Sequence, residues 1–160
     1  MTPKQFNDIV DEYSNRLCRF ADKLLVNKEQ AKDLVQDAFA KLWENRELVV
    51  LTTVKSWLFK VVYHMCINHL KQQNRVVYDY EFDLSLHSYQ QSSDLKEVLQ
   101  SSLDMLTDVQ KSILLLRDYE GYTYEEIGQI LNLKESQVKV YLFRARQKMK
   151  DYLKDIDLVI

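Results

Sequence analysis

Turn-forming residues are almost missing from this chain: among 160 residues there are two glycines and one proline, Pro3. A sheet protein reverses direction every few residues and uses Gly, Pro, Asn and Asp clusters to do so. Long stretches here are instead rich in Leu, Lys, Gln, Glu and Ala, which favour helix. The chain is therefore expected to be all-α, and its length fits one domain or two small ones.

The apolar periodicity divides it. Residues 4–25 place Phe6, Ile9, Val10, Tyr13, Leu17, Phe20, Ala21, Leu24 and Leu25 at helical spacing. Asn27 with Gln30 reads as a capping box. It opens a helix that buries Leu34, Val35, Ala38, Phe39, Leu42 and Trp43 and turns Lys32, Asp33, Gln36, Asp37, Lys41 and Glu44 to solvent. After a break over 47–53, residues 54–73 form a third helix with Val54, Trp57, Leu58, Val61, Val62 and Met65 as its apolar stripe. Residues 76–93 lose the period and read as a linker, with four aromatics (Tyr78, Tyr80, Phe82, Tyr89). Helical pattern returns at Leu95, Val98, Leu99, Leu103 and Leu106. Thr107 with Gln110 and Thr123 with Glu126 are two further capping boxes. Gly121 stands where a helix must stop, and Asn132 at a tight turn. A long basic helix follows from Glu135. The expected organisation is two small helical domains, 1–75 and 94–160, joined by 76–93.

Net charge is -2, but its distribution is uneven. Residues 55–75 carry +4 and residues 134–154 carry +5, with 78–108 between them at -6. Two basic segments flanking an acidic one are two candidate phosphate-binding surfaces. Cys18 and Cys66 match no metal spacing and read as small core residues in a reducing cytoplasm. The N-terminus lacks the pattern of a secretion signal, and no apolar run is long enough for membrane insertion. There is no Gly-rich phosphate loop and no nucleophile elbow, and His64, His69 and His87 form no metal-ligand pattern. The expectation is a protein without cofactor, metal or catalysis of its own.

Residues 123–148 read as a helix-turn-helix. On the second helix Val138, Leu142, Ala145 and Met149 can pack on Ile127 and Leu131. Ser136, Val140, Phe143, Arg144 and Gln147 fall on the opposite side, flanked by Gln137 and Lys139. Small, polar and basic groups opposite a buried stripe suit a major groove. In the other basic segment, Phe59, Lys60, Tyr63, His64, Asn68, Lys71 and Arg75 interleave rings with cations. That mixture suits single-stranded DNA, because bases stack on rings while cations follow the backbone. Trp57, on the apolar stripe, reads as core; Phe59, Tyr63 and His64 lie off it.

The order of these parts resembles the sigma-70 family, in its extracytoplasmic-function branch. Ala31-Lys32-Asp33-Leu34-Val35-Gln36-Asp37-Ala38-Phe39 followed by Leu42-Trp43 is similar to the family's second region. That resemblance implies docking on the clamp coiled coil of the RNA polymerase core's largest subunit, with Asp33, Gln36 and Asp37 as the exposed contacts. Ser56-Trp57-Leu58-Phe59-Lys60-Val61-Val62 through Asn68-His69-Leu70 resembles the segment that opens and reads the promoter minus-ten element. His64 stands where the family usually has Asn, and Asn68 where it has Asp. Leu106-Thr107, Gly121 through Gly128 and Val138 through Arg146 resemble the fourth region, which reads the minus-thirty-five element. Thr107 replaces a usual Pro, and Lys134 a usual capping Ser. The resemblance implies a sigma factor in the cytoplasm, bound to polymerase and promoter DNA and controlled by an anti-sigma factor. Read from the residues alone, a stand-alone regulator with a helix-turn-helix output and a helical adaptor without DNA remain alternatives.

Overall fold

The computed structural model describes residues 1–76 and 95–159, with side chains for 1–73 and 95–155. The linker expected after residue 76, with its Tyr78, Tyr80, Phe82, His87 and Tyr89, lies outside them, as does the side chain of Arg75. Seven α-helices account for most of the described residues, and there is no strand among them.

The first half is built from α1 (Pro3–Leu25), α2 (Lys28–Glu44) and α3 (Val54–Val76), the last entered through a short 3-10 turn at Leu51–Thr53. The start of α1 is a full capping box that periodicity did not reveal. The Thr2 hydroxyl accepts from the Gln5 amide, and the Thr2 amide donates to Gln5 Oε1. At Asn27 only half of the expected box forms: its side chain accepts from the Gln30 amide at 3.0 Å. The turn between α1 and α2 passes through Val26 at φ 54°, a left-handed position for a β-branched residue. Leu17, Phe20, Ala21, Ala38, Leu42, Leu58 and Val62 fill the interior of this bundle, all of them nearly without exposure.

The second half holds α4 (Leu95–Asp104), α5 (Asp108–Leu114), α6 (Tyr124–Leu131) and α7 (Glu135–Val159). The boxes expected at Thr107 and Thr123 both form in full. Beyond Leu114 the chain widens into one π-helical turn, Leu115–Tyr119, closed by the Glu120 amide on the Leu115 carbonyl. Gly121 at φ 75° then ends it, as its type suggested. Asn132 is the left-handed cap of α6, so the tight turn falls where Asn predicted it.

The buried residues form one cluster that runs through both halves. This overturns part of the reading of α3. Its buried positions are Val54, Leu58, Phe59, Val62, Tyr63 and Cys66, while Trp57, Val61 and Met65 are only half-buried. The helix is covered on two sides, by α1 and α2 and also by α6. A single apolar stripe accounts for only one of these.

Candidate nucleic-acid interface

α6 and α7 form the helix-turn-helix. Its turn is fixed by backbone: the Asn132 and Leu133 amides both donate to the Gly128 carbonyl. Gly128 is required by space, since a Cβ there would lie 2.6 Å from the Leu133 carbonyl oxygen. Val138, Leu142 and Ala145 pack inward against α6 and are buried. Ser136, Gln137, Lys139, Val140, Phe143, Arg144 and Gln147 are all exposed. Phe143, at 69% exposure, is a large apolar ring offered to solvent on a basic helix, which fits contact with a thymine methyl.

The start of α7 solves the missing Ser cap differently. Gln137 reaches back, its Oε1 accepting from the Lys134 amide at 2.9 Å. Lys139 is held beside Glu135 at 3.8 Å and 5.5 Å from the centre of the Tyr124 ring. Gln147 bonds Asp151. Arg144 makes no hydrogen bond or ion pair among the described residues, so its guanidinium is available to a ligand. Arg146, two residues on, is committed instead to Asp118, which raises its pKa by a two-point hydrogen-bonded ion pair.

On α3 the expected residues separate into two groups. Lys60, His64, Asn68 and Lys71 are exposed and recur at helical spacing along one face. Phe59 and Tyr63 are a correction: they are buried, at 0% and 9% exposure, and cannot stack on a base in this arrangement. Phe59 meets Phe20 on one side, ring centres 5.6 Å apart, and Tyr122 of the second half on the other, at 4.9 Å. Burial also raises the Tyr63 hydroxyl pKa. The structure adds exposed apolar residues that sequence reasoning passed over. Leu48, Val50 and Leu51 are 81%, 60% and 45% exposed in the connection leading into α3. Their signal was an apolar run inside a stretch otherwise read only as a break.

Asp33, Gln36 and Asp37 lie exposed on one face of α2, opposite buried Leu34, Val35 and Ala38. Edge-on contacts of Phe6 with Phe39 and Trp43 hold that helix on α1. No group of three or more His, Cys, Asp or Glu among the described residues could hold a metal ion, and no described helix is long and apolar enough to cross a membrane.

Comparison with known proteins places the same two halves. The family model for sigma-70 region 2 matches residues 9–76, and that for sigma-70 region 4 matches residues 96–149. The ECF RNA polymerase sigma factor SigM of Bacillus subtilis is 28% identical over 150 residues, which cover 90% of this chain and 92% of that protein. SigE of Mycolicibacterium smegmatis, another ECF sigma factor, is 27% identical over 157 residues, 92% of this chain and 61% of that longer protein. Among solved structures, the sigma factor RpoE of Bartonella quintana in complex with the anti-sigma factor NepR superposes with a TM-score of 0.79. It is 25% identical, and the match covers 94% of this chain and 98% of that one. CnrH in complex with the cytosolic domain of CnrY has the same fold, with a TM-score of 0.71 at 19% identity over 94% of this chain and 88% of that one.

Proposed function

The chain belongs to the sigma-70 family, in its extracytoplasmic-function branch, whose members direct RNA polymerase to promoters, and we propose that it divides this work among three exposed surfaces. α2 holds the polymerase core, with Asp33, Gln36 and Asp37 against the clamp coiled coil of the largest subunit. α3 reads the opened minus-ten element through Lys60, His64, Asn68 and Lys71, continued by Arg75. α7 reads the duplex minus-thirty-five element through Ser136, Gln137, Lys139, Val140, Phe143, Arg144 and Gln147. Residues 1–75 and 94–160 are the two working domains, with 76–93 as the connection.

The observation that carries this reading is on α7: every residue expected to face DNA is exposed, and Val138, Leu142 and Ala145 between them are buried. Each surface alone gives weak, salt-sensitive binding. Joined through the polymerase, the second contact becomes intramolecular and gains from effective concentration. Acidic side chains on α2 suit a coiled coil whose outer positions carry Arg. Leu48, Val50 and Leu51 give an apolar edge beside the start of α3 on which unstacked bases can rest. The polymerase supplies the bond-forming chemistry, so this chain works in the cytoplasm with no catalytic group or cofactor of its own. An anti-sigma factor completes the partners, as the solved neighbour RpoE was captured with one.

The test is transcription in vitro from a genomic fragment library with bacterial core polymerase, with and without this protein. New start sites that share two upstream elements are expected only with it. Asp33→Lys with Asp37→Lys should abolish them. No new starts, together with a shift of duplex DNA by the chain alone, would leave the stand-alone regulator as the better reading.

A further inference from the structure

α3 opens one narrow face to solvent. Between Val54 and Gln73 its exposed residues are Lys60, His64, Asn68, Lys71, Gln72 and Gln73. Lys60, His64 and Asn68 follow at four-residue steps, about 6 Å apart along the axis, and Lys71 continues the line. None of the 23 residues of α3 is acidic. His64 is therefore a titratable ring on a stripe whose other charges are both ammonium groups.

Nothing in the structure fixes the charge of that ring. His64 makes no hydrogen bond or ion pair among the described residues, and its ring lies beside that of Tyr63, centres 5.4 Å apart. Two acids come near α3 from other elements. Glu126 of α6 is taken up by Lys55 at 2.9 Å, well before His64 on the helix. Asp108, at the start of α5, acts on the buried Tyr63 hydroxyl. The residues that α1 and α2 bury are apolar apart from Tyr13.

Imidazole is the side chain type whose charge changes between about pH 5 and pH 8. Without DNA, a proton on His64 adds a third cation to a stripe of two, with no carboxylate on α3 to meet it, so like charge opposes it. A strand of phosphates laid along the stripe reverses the sign. By reciprocity, the factor by which the strand strengthens proton binding is the factor by which the proton strengthens strand binding. The imidazolium then has two N–H donors and no acceptor, which suits a phosphate oxygen. The Asn68 amide carries both donor and acceptor, the combination that a base edge requires.

We propose that His64 takes up a proton from solvent as the opened strand docks and holds a phosphate as an imidazolium between Lys60 and Lys71, leaving Asn68 to meet a base. Engagement of the opened promoter by this protein therefore strengthens as pH falls toward the acid end of the imidazole range. This rests on the reading of α3 as the minus-ten surface.

The test uses the full-length chain bound to core polymerase and compares wild type, His64→Asn and His64→Lys. The probe is a promoter fragment from one of the new start sites, synthesised with a mismatched, already opened minus-ten element. Its dissociation constant is measured at about pH 6 and about pH 8 over a series of salt concentrations. Wild type should gain about fivefold more affinity on acidification than His64→Asn, the gain common to both belonging to other groups. The wild-type salt slope should steepen in acid by about 0.7, the value of one single-strand phosphate, and that of His64→Asn should not. His64→Lys, charged at both pH values, should lose the extra gain and bind more tightly than wild type at the higher one. Equal gains in wild type and His64→Asn overturn the proposal, as does a His64→Lys protein that binds more weakly than wild type at the higher pH. Lys60→Ala with Lys71→Ala separates this from failure of the underlying reading. If that pair leaves binding unchanged at both pH values, α3 does not face the strand and the minus-ten assignment falls with the proposal. If it weakens binding while His64→Asn keeps the wild-type response, only the role of His64 falls.

Discussion

Val26 and Gly128 are the two positions where backbone geometry and residue type meet most sharply. Val26 sits at φ 54° with its side chain 57% exposed, so it endures a left-handed backbone with little packing in return. A non-glycine residue there is strained by about 1–2 kcal/mol, and Asn is among the few that tolerate it. Val26→Asn should therefore stabilise the protein by about 1 kcal/mol, raising Tm by about 3 °C in a chain of this size. Calorimetry showing an unchanged or lower Tm would remove the strain argument. Gly128 is the opposite case, because the residue is right and any other is wrong. Gly128→Ala drives a Cβ against the Leu133 carbonyl, which is backbone and cannot swing away. The expected loss is about 1–3 kcal/mol, with the turn between α6 and α7 displaced and duplex binding reduced. An alanine variant with wild-type Tm and DNA affinity would refute it. The sequence marked Asn132 and Gly121 as turn residues by type alone. It gave no warning of Val26, because a valine carries no signal for a left-handed backbone.

Elements were legible where one face of a helix decides its fate. α7 has one partner side, so its seven expected DNA-facing residues emerge exposed; of its four expected inward residues Val138, Leu142 and Ala145 are buried and Met149 is half-buried. α3 has two partner sides. Of the stripe that periodicity gave, Val54, Leu58 and Val62 are buried but Trp57, Val61 and Met65 only half-buried, while Phe59 and Tyr63, read as lying off it, are buried, Phe59 against Phe20 and Tyr122. The rings that looked like base-stacking groups are instead part of the packing. Among the exposed groups of α7, Lys139 is already engaged by Glu135 and Tyr124 whereas Arg144 is unengaged among the described residues. Arg144→Ala should thus weaken promoter-duplex binding more than Lys139→Ala does, by about 1–3 kcal/mol if it contacts a base edge. Lys139→Ala should mainly reduce the salt slope. Titrations at several salt concentrations separate the two, and equal, sequence-independent losses would reassign Arg144 to the phosphates.

At the scale of the whole molecule the halves are joined by pairs such as Arg16 with Tyr122, 106 positions apart. No periodicity, cap or charge run connects residues so distant, which is why the closed arrangement was not legible although each half was. Its charge pairs nevertheless make a pH dependence derivable. Glu126 has a lowered pKa, first because Lys55 donates a hydrogen bond to it, with further help from Thr123. A depressed carboxylate pKa means that the contribution of the pair is present above the unfolded-state value and is lost as pH falls through the folded one. Closure should weaken on acidification below the usual carboxylate range, and the scattering radius should grow there. Glu126→Gln isolates this contribution. Gln serves as well as Glu at the third position of a capping box, so α6 keeps its start at Thr123 while the ion pair with Lys55 disappears. The variant should retain wild-type helix content, be more open than wild type at neutral pH, and show a smaller further expansion in acid. If its radius and its acid response both match those of wild type, the Lys55–Glu126 pair does not help to hold the halves together, and closure must be assigned to the remaining contacts between them, among them Arg19 with Glu120, Arg16 and Phe59 with Tyr122, and Gln100 with the Lys23 carbonyl.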